Sequence, residues 1–221
     1  MVGRRAPVTR ERVVDAALAL TRERGIDGWS LRDLAAELRT WPNGIAHHVG
    51  TREQVCQGVV DAVVRQMTNP PAELGWREWF RTFLGQGREV LRRYPGVARR
   101  LCRDGPAVPA AMPIMERGVG LLVEAGFGSD ALRAYSVLLD SAVLLVALAD
   151  DRRAAGGELG AAADRLRDVV PDRAAAPAWD AVHGYLAEWR ADADGAFDAL
   201  FDYTVDTVLA GLRPPPAARP R

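Results

Sequence analysis

The residues whose types and spacing could do chemistry lie between positions 30 and 52, in the stretch SLRDLAAELRTWPNGIAHHVGTR. Two short helical patterns are joined there by a turn of about three or four residues, which is the layout of a helix-turn-helix. In that motif the second helix enters the major groove, where asparagine bonds base edges and histidine reaches phosphates or bases. The outward-facing candidates on this helix are Trp41, Asn43, Gly44, His47 and His48.

Two upstream helices must brace that reading helix from behind. Thr9 can cap a first helix that ends near Arg24, with Gly25 as its stop. Ser30 can cap a second helix, with Asp33 three residues on to complete a capping box. The residues at helical spacing that predict the shared core are Val13, Val14, Ala17, Leu18, Thr21, Leu31, Leu34, Ala35 and Leu38.

The reading helix is short and is followed at once by a fourth helix. Pro42 suits the first turn of the reading helix, and Ile45 and Val49 would insert into the core behind it. Thr51 can cap the fourth helix, whose N-terminus is a good anion site on helix-dipole grounds. The fourth helix carries apolar residues four apart at Val55, Val59, Val63 and Met67.

A basic arm precedes the first helix. Residues 1–12 carry Arg4, Arg5, Arg10 and Arg12 against Glu11 alone. This arrangement fits attraction to phosphates, and a solvated basic tail explains it equally well. We include Arg4 and Arg5 among the candidate DNA contacts.

This whole block resembles the DNA-binding domain of the TetR (tetracycline-repressor-like) family. Members share a capped second helix, a short third helix with a histidine near its end, and a Ser or Thr with a basic residue opening the fourth. The resemblance implies that Ser30, Thr51 and Arg52 contact phosphates. It also implies a transcriptional regulator, commonly a repressor, that binds operator DNA. The matching residues are Gly25, Ser30, Leu34, Ala35, Leu38, Ile45, His48, Thr51, Arg52 and Glu53.

The reading surface departs from the family pattern at four positions. Arg39 stands at the usual turn glycine, Trp41 at the usual Ser or Thr cap, Ala46 at the usual Tyr and Val49 at the usual Phe. Loss of the Tyr removes an expected phosphate contact, which Trp41 could replace by lying on a sugar-phosphate edge or a thymine methyl. We therefore add Arg39 and Pro42 to the candidate DNA contacts and leave the operator sequence open.

The second half of the chain predicts an all-α domain. Helices are expected at about residues 76–94, 97–102, 113–125, 130–149 and 197–212, with residues 150–178 as a connection that could hold a helix near 159–169. The stretches WREWFRTFL, RRYPGVARRL and FDALFDYTVDTVLAGL are similar to the C-terminal domain of the TetR family. That similarity implies a small-molecule site and a dimer. We predict a three-helix DNA-binding domain at 1–54, a helical ligand-binding and dimerisation domain at 55–213, and a disordered tail at 214–221.

Two helices of that domain predict the homodimer and its ligand site. Helix 130–149 is apolar nearly all round and helix 196–212 carries a broad apolar stripe, so a two-fold dimer through both is expected. Asp140 interrupts the apolar run and either meets a polar group of the ligand or, as the favoured alternative, forms a structural pair with an Arg across the dimer. The candidate ligand contacts are Trp79, Phe83, Met112, Met115, Leu139 and Val143.

Composition limits the compartment and the chemistry. The chain is 48% hydrophobic and 26% charged with zero formal net charge, which is typical of a soluble protein. The N-terminal residues lack the apolar core of a signal peptide, and the apolar run Val137–Ala149 is too short to span a bilayer. We expect a cytoplasmic protein, not bound to a membrane, with Cys56 and Cys102 as free thiols.

An all-helical enzyme and a helical adaptor that binds only protein are the alternatives. The three histidines, at 47, 48 and 183, lack partners at the spacing of metal ligands. Asp150 and Asp151 resemble the start of a diphosphate-metal box that the following residues do not continue. Phosphate-binding glycine loops and nucleophile motifs are also absent from the sequence. We therefore expect neither catalysis nor a metal nor a cofactor.

Overall fold

The helices of this protein begin and end where the sequence supplies caps and breaks. The computed structural model describes residues 8–105, 108–154, 165 and 177–216, and the regular structure within those ranges is helical, as predicted. Short 3-10 turns at Pro109–Ala111 and Gly128–Asp130 precede the seventh and eighth helices. The α-helices are α1 Arg10–Arg24, α2 Leu31–Glu37, α3 Pro42–His48, α4 Arg52–Val64, α5 Trp76–Arg92, α6 Val97–Asp104, α7 Met112–Glu124, α8 Ala131–Ala154, α9 Pro177–Ala191 and α10 Ala193–Gly211.

Side-chain caps fix the starts of α1, α2 and α4. Thr9 accepts a hydrogen bond from the backbone of the first turn of α1. The Ser30 hydroxyl accepts from the backbone N–H of Asp33, whose carboxylate accepts in return from the Ser30 N–H at 2.8 Å. Thr51 and Gln54 form the same reciprocal box at α4. These bonds satisfy donors that a helix start otherwise leaves unpaired, and they confirm the predicted caps.

A shared core holds α3 against the helices behind it. Leu34 and Ala35 of α2 and Ile45 of α3 are buried together with the apolar side of α1. Val49, directly after α3, is buried as well. Because α3 is only two turns long, Ile45 and Val49 anchor it and leave its opposite side facing outward, as the sequence predicts.

Helix α8 is the centre of the C-terminal half. It packs against α5, α6, α7 and α10, and its buried residues include Tyr135, Leu138 and Val146. The aromatic rings of α5 fill the neighbouring space, with Trp79 completely buried and stacked on Phe83 at a centroid distance of 5.3 Å. The apolar character of α8 on nearly every side is therefore used mostly for packing within the chain.

One stripe of α8 stays uncovered in the single chain. Val137, Leu144 and Leu148 are each at least 40% exposed. Residues 128–154 are long and apolar enough to cross a membrane by length and composition alone, a test that the core helix of a soluble protein also passes. This stretch is much longer than the thirteen-residue apolar run in the sequence suggests.

The structure corrects two parts of the sequence prediction. Helix α8 continues to Ala154, not 149, because the Asp150 carboxylate accepts the Gly96 N–H at 2.9 Å and Arg153 pairs with Asp194. Helix α9 was not predicted, and it packs through Trp189 against α10. The optional helix near 159–169 falls almost wholly outside the described residues. So do Arg4, Arg5 and most of the tail.

The predicted domain boundary between residues 54 and 55 falls within α4. That helix packs against α1 on one side and contacts α6 of the C-terminal half on the other. Its buried residues belong to one core cluster that includes residues of both halves. The position of the boundary stays a prediction, and α4 is the element that both domains would share.

Arg39 gives a test of how the turn between α2 and α3 is built. Its φ of 51° lies in the left-handed region, which costs a residue with a side chain about 1 kcal/mol. We expect Arg39→Gly to raise the free energy of unfolding by about that amount in chemical denaturation at fixed protein concentration. Ala36→Gly, in the preceding helix, is the control and should lower it by about 1 kcal/mol. Equal losses in both variants would contradict the backbone argument.

Candidate DNA-binding surface and ligand cavity

The outward face of α3 carries the reading candidates. The Trp41 side chain is 77% exposed, which is unusual for so large an apolar group, and it makes no capping hydrogen bond to the helix that it precedes. Asn43 is exposed, while Pro42 and Gly44 are half-buried. His47 and His48 lie in the last turn of α3, and their side chains fall outside the described part of the chain. The structure thus brings the candidates together on one short helix.

The turn before α3 adds a cation to the same region. Arg39 is exposed and forms no ion pair with any described residue. Arg39 adopts the left-handed backbone that a glycine, the residue expected from the family resemblance, would adopt there. The turn is therefore kept, and the arginine adds a positive charge to it. An unpaired guanidinium beside a helix-turn-helix is suited to a phosphate contact.

The hydroxyls of Ser30 and Thr51 are already used in the capping boxes. Each accepts a backbone N–H at 3.3 Å, from Asp33 and Gln54 respectively. A hydroxyl has a second lone pair and one proton, but the Ser30 proton is donated to the Asp33 carboxylate at 2.5 Å. That pairing leaves Thr51 freer than Ser30 to contact a phosphate.

Arg52 has an internal role that sequence reasoning missed. Its Nε donates to the Trp29 carbonyl at 3.0 Å and its Nη2 to the Ile26 carbonyl at 2.8 Å. The guanidinium also lies 4.9 Å from the centroid of the Trp29 ring. These contacts tie the start of α4 to the loop between α1 and α2. A guanidinium has five N–H donors, so the expected phosphate contact stays a prediction alongside this bracing role.

A buried arginine joins the two halves of the chain. Arg100 of α6 donates from Nη1 to both Glu53 oxygens at 2.8 and 3.0 Å, and from Nη2 to Asp27 at 2.9 Å. Its side chain is only 7% exposed. Burial disfavours the cation, but the hydrogen bonds to Asp27 and Glu53 raise the Arg100 pKa above its ordinary value. We call Arg100, Glu53 and Asp27 the interdomain latch.

Close backbone contacts surround the interdomain latch. The Ile26 N–H donates to the Pro95 carbonyl at 2.9 Å, directly beside it. Gly96, with a φ of 83°, approaches so closely that a Cβ there would lie 3.0 Å from the Ile26 side chain. The next N–H along, at Gly96, donates to the buried Asp150 carboxylate of α8. The loop after α1 is thus connected through the start of α6 to the end of α8.

The C-terminal half contains an apolar cavity of about 140 Å³. Four of the six predicted ligand contacts line it together: Phe83 of α5, Met115 of α7, and Leu139 and Val143 of α8. Trp79 does not line it, since its ring is fully buried between Phe80 and Phe83. Met112 does not line it either and is 41% exposed at the start of α7.

The cavity wall includes groups that the sequence reading did not select. Residues 101 and 102 of α6 belong to the wall, so the helix that carries Arg100 also faces the cavity. Burial raises the pKa of Tyr135 to about 12, which keeps its phenol protonated near neutral pH. Arg88 and Asp140 are the charged residues among the described lining. Arg88 is paired with Asp198 and Asp202 of α10.

Within the described residues, no group of three or more histidine, cysteine, aspartate or glutamate side chains is placed to hold a metal ion. The two thiols are separate, with Cys56 buried in α4 and Cys102 exposed at the cavity wall. Burial raises the pKa of both, so neither is activated as a thiolate.

A helix-turn-helix joined to an all-helical domain with an apolar cavity defines a class of two-domain DNA-binding regulators. Residues 69–214 match the family described as tetracyclin repressor-like, C-terminal domain. This chain therefore belongs to the tetracyclin repressor-like (TetR) family.

Relatives and solved structures agree with that assignment. The transcriptional repressor DrrR1 of Streptomyces coeruleorubidus is 30% identical over 146 residues, which are 64% of this chain and 53% of DrrR1. A transcriptional regulator of Saccharopolyspora erythraea is 32% identical over 130 residues, 58% of this chain and 55% of that protein. The chain thus spans about half the length of these curated relatives. ActR of Streptomyces coelicolor, solved in complex with actinorhodin, is 26% identical with a TM-score of 0.72, covering 93% of this chain and 99% of that one.

The interdomain latch predicts a large difference between two adjacent arginines. We expect Arg100→Met to lower the free energy of unfolding by about 2 kcal/mol, because it leaves Glu53 and Asp27 without their shared cation. The matched control is Arg99→Met, which removes an ion pair to Asp151 from a side chain that is 60% exposed. That change should cost less than about 1 kcal/mol. Denaturant titrations at one protein concentration give both values. Similar losses would mean that Arg100 is not a latch.

Proposed function

We propose that this protein is a cytoplasmic transcriptional repressor that binds operator DNA as a homodimer and is released by a small, largely apolar ligand. The observation that carries the proposal is the double position of α6. One side of α6 faces the cavity through Leu101 and Cys102, and the other holds the α1–α2 loop through Arg100. A regulator of this kind needs such a connection between its ligand site and its DNA reader.

The DNA half of the proposal rests on α3 and the turn before it. Asn43 is placed to hydrogen-bond base edges, and exposed Trp41 to lie against a sugar or a thymine methyl. Arg39 supplies a phosphate contact, and Thr51 offers the N-terminus of α4 to another. His47 and His48, together with Arg4 and Arg5 of the arm, complete the proposed surface.

The dimer half rests on the exposed stripe of α8 and on α10. Val137, Leu144 and Leu148 of α8 are apolar and open to solvent in the single chain, and Tyr203 of α10 is 72% exposed. Covering these groups with the same surface of a second copy would remove them from water and place two α3 helices for two half-sites. We therefore keep helices 130–149 and 196–212 as the proposed interface.

Release follows from the contacts of α6. A ligand that shifts α6 must also move Arg100, and with it Asp27 of the α1–α2 loop and Glu53 of α4. Both acidic residues belong to the elements that support α3, so the spacing between the two α3 helices of the dimer changes. The ligand weakens DNA binding only as far as it prefers the shifted state.

Asn43 and Arg39 give a matched test on DNA. The readout is fluorescence anisotropy with the DNA upstream of the protein's own gene and with a random duplex. Asn43→Ala should reduce discrimination between the two by about tenfold, since a base-edge contact is lost. Arg39→Gln should weaken binding to both duplexes alike and lower the slope of log affinity against log salt by about one.

Arg117→Gln, on α7 of the C-terminal half, is the control and should leave both affinities and the slope unchanged. Wild-type protein that binds both duplexes equally at low salt would contradict the proposed function. Losses from Asn43→Ala that are the same on both duplexes would remove this residue from the reading surface.

A further inference from the structure

The size of the cavity sets what its interior can hold. At about 140 Å³ it is close to the cavities that admit a single benzene ring. Its deep wall is apolar, with Phe83, Leu91 and Val146 among the lining residues. The buried part of a ligand is therefore one ring or an aliphatic group of that size, and a longer molecule must extend through the opening.

The charges on the wall are not balanced. The Arg88 cation lies 3.6 Å from the Asp198 carboxylate and 3.5 Å from that of Asp202, so α10 already neutralises it. Asp140 is exposed and forms no ion pair with any described residue. Among the described residues, the cavity opening thus carries one negative charge that no cation pairs with.

Asp140 lines the cavity at the edge of the exposed stripe of α8. A helix turns about 100° per residue, so the lining residues Ser136 and Val143 lie roughly 40–60° from Asp140 on one side of it, and Val137 and Leu144 of the stripe lie as far on the other. The Asp140 carboxylate also acts across the opening on Cys102 of α6, whose pKa it helps to raise after the larger effect of burial. Asp140 therefore borders the gap between α8 and α6.

We infer that the effector is an amphiphilic cation, with an apolar ring held in the cavity and a protonated amine at the opening on the Asp140 carboxylate. This inference rests on the proposed function and names the class of molecule that operates it. Arg88 is neutralised by α10, so the amine is the cation that pairs with Asp140. Its N–H groups donate hydrogen bonds to the carboxylate oxygens. Because the amine lies between α8 and α6, it acts on the helix that carries Arg100.

Three probes with the same ring and tether test the charge directly. They are 4-phenylbutylamine, 4-phenylbutanol and 5-phenylpentanoate, which share a phenyl ring and four methylenes and differ in ending in a cation, a neutral hydroxyl or an anion. Their dissociation constants are measured calorimetrically on the full chain at pH 7. We expect the amine to bind about tenfold more tightly than the alcohol, and the carboxylate most weakly.

Two aspartate variants localise the effect. Asp140→Asn keeps the shape of the side chain and should reduce the amine's advantage over the alcohol to within about twofold. Asp180→Asn, an exposed position on α9, is the control and should behave as wild type. An amine that binds no better than the alcohol, or that keeps its advantage in Asp140→Asn, overturns the inference. So does an Asp140→Asn variant that changes dimer dissociation in sedimentation but not probe preference.

Operator release separates this inference from the function beneath it. If the alcohol releases operator DNA in the anisotropy assay as readily as the amine, the effector class is wrong and the ligand-responsive repressor stands. If the amine binds through Asp140 but leaves the affinity for operator DNA unchanged at every concentration, the site is correctly assigned and the proposed release fails.

Discussion

The burial of the Arg100 guanidinium is the constraint on which the rest of this structure depends. A cation at that depth is costly unless carboxylates meet it, and Asp27 and Glu53 do so from two different elements of the N-terminal half. The α1–α2 loop and the start of α4 are therefore held to α6 by one side chain. The helix-turn-helix cannot move relative to the C-terminal half unless this contact breaks or its partners move together.

Helix α8 meets several demands with one sequence. It fills the core, lines the cavity, receives the Gly96 N–H at its far end and leaves an apolar stripe outside. Its residues differ round the helix accordingly: Leu138 is buried, Asp140 borders the opening, and Leu144 is exposed. A small displacement of α8 by a ligand would reach both the proposed dimer surface and α6, since a packed helix moves as a unit.

The departures from the family pattern around α3 have a physical explanation. Arg39 takes the left-handed backbone that a glycine would take at lower cost and places a cation beside α3. Trp41 starts α3 without supplying a side-chain cap, and its exposure leaves a large apolar group at the proposed DNA face. Arg39 gives up the backbone freedom of a glycine and Trp41 gives up a side-chain cap, and both place an exposed side chain beside α3.

Much of the fold was predictable because its signals are local. Caps such as Ser30 and Thr51, the proline that starts α3 at position 42, and the apolar spacing of Ile45 and Val49 determine the helix-turn-helix within a few residues of each other. The extent of α8, the existence of α9, the bracing of Arg52, the role of Arg100 and the exclusion of Trp79 from the cavity were decided only by tertiary structure. Three of these depend on partners more than 20 residues away in the chain: Gly96 for Asp150, Ile26 for Arg52 and Asp27 for Arg100. Periodicity carries no information on such pairs.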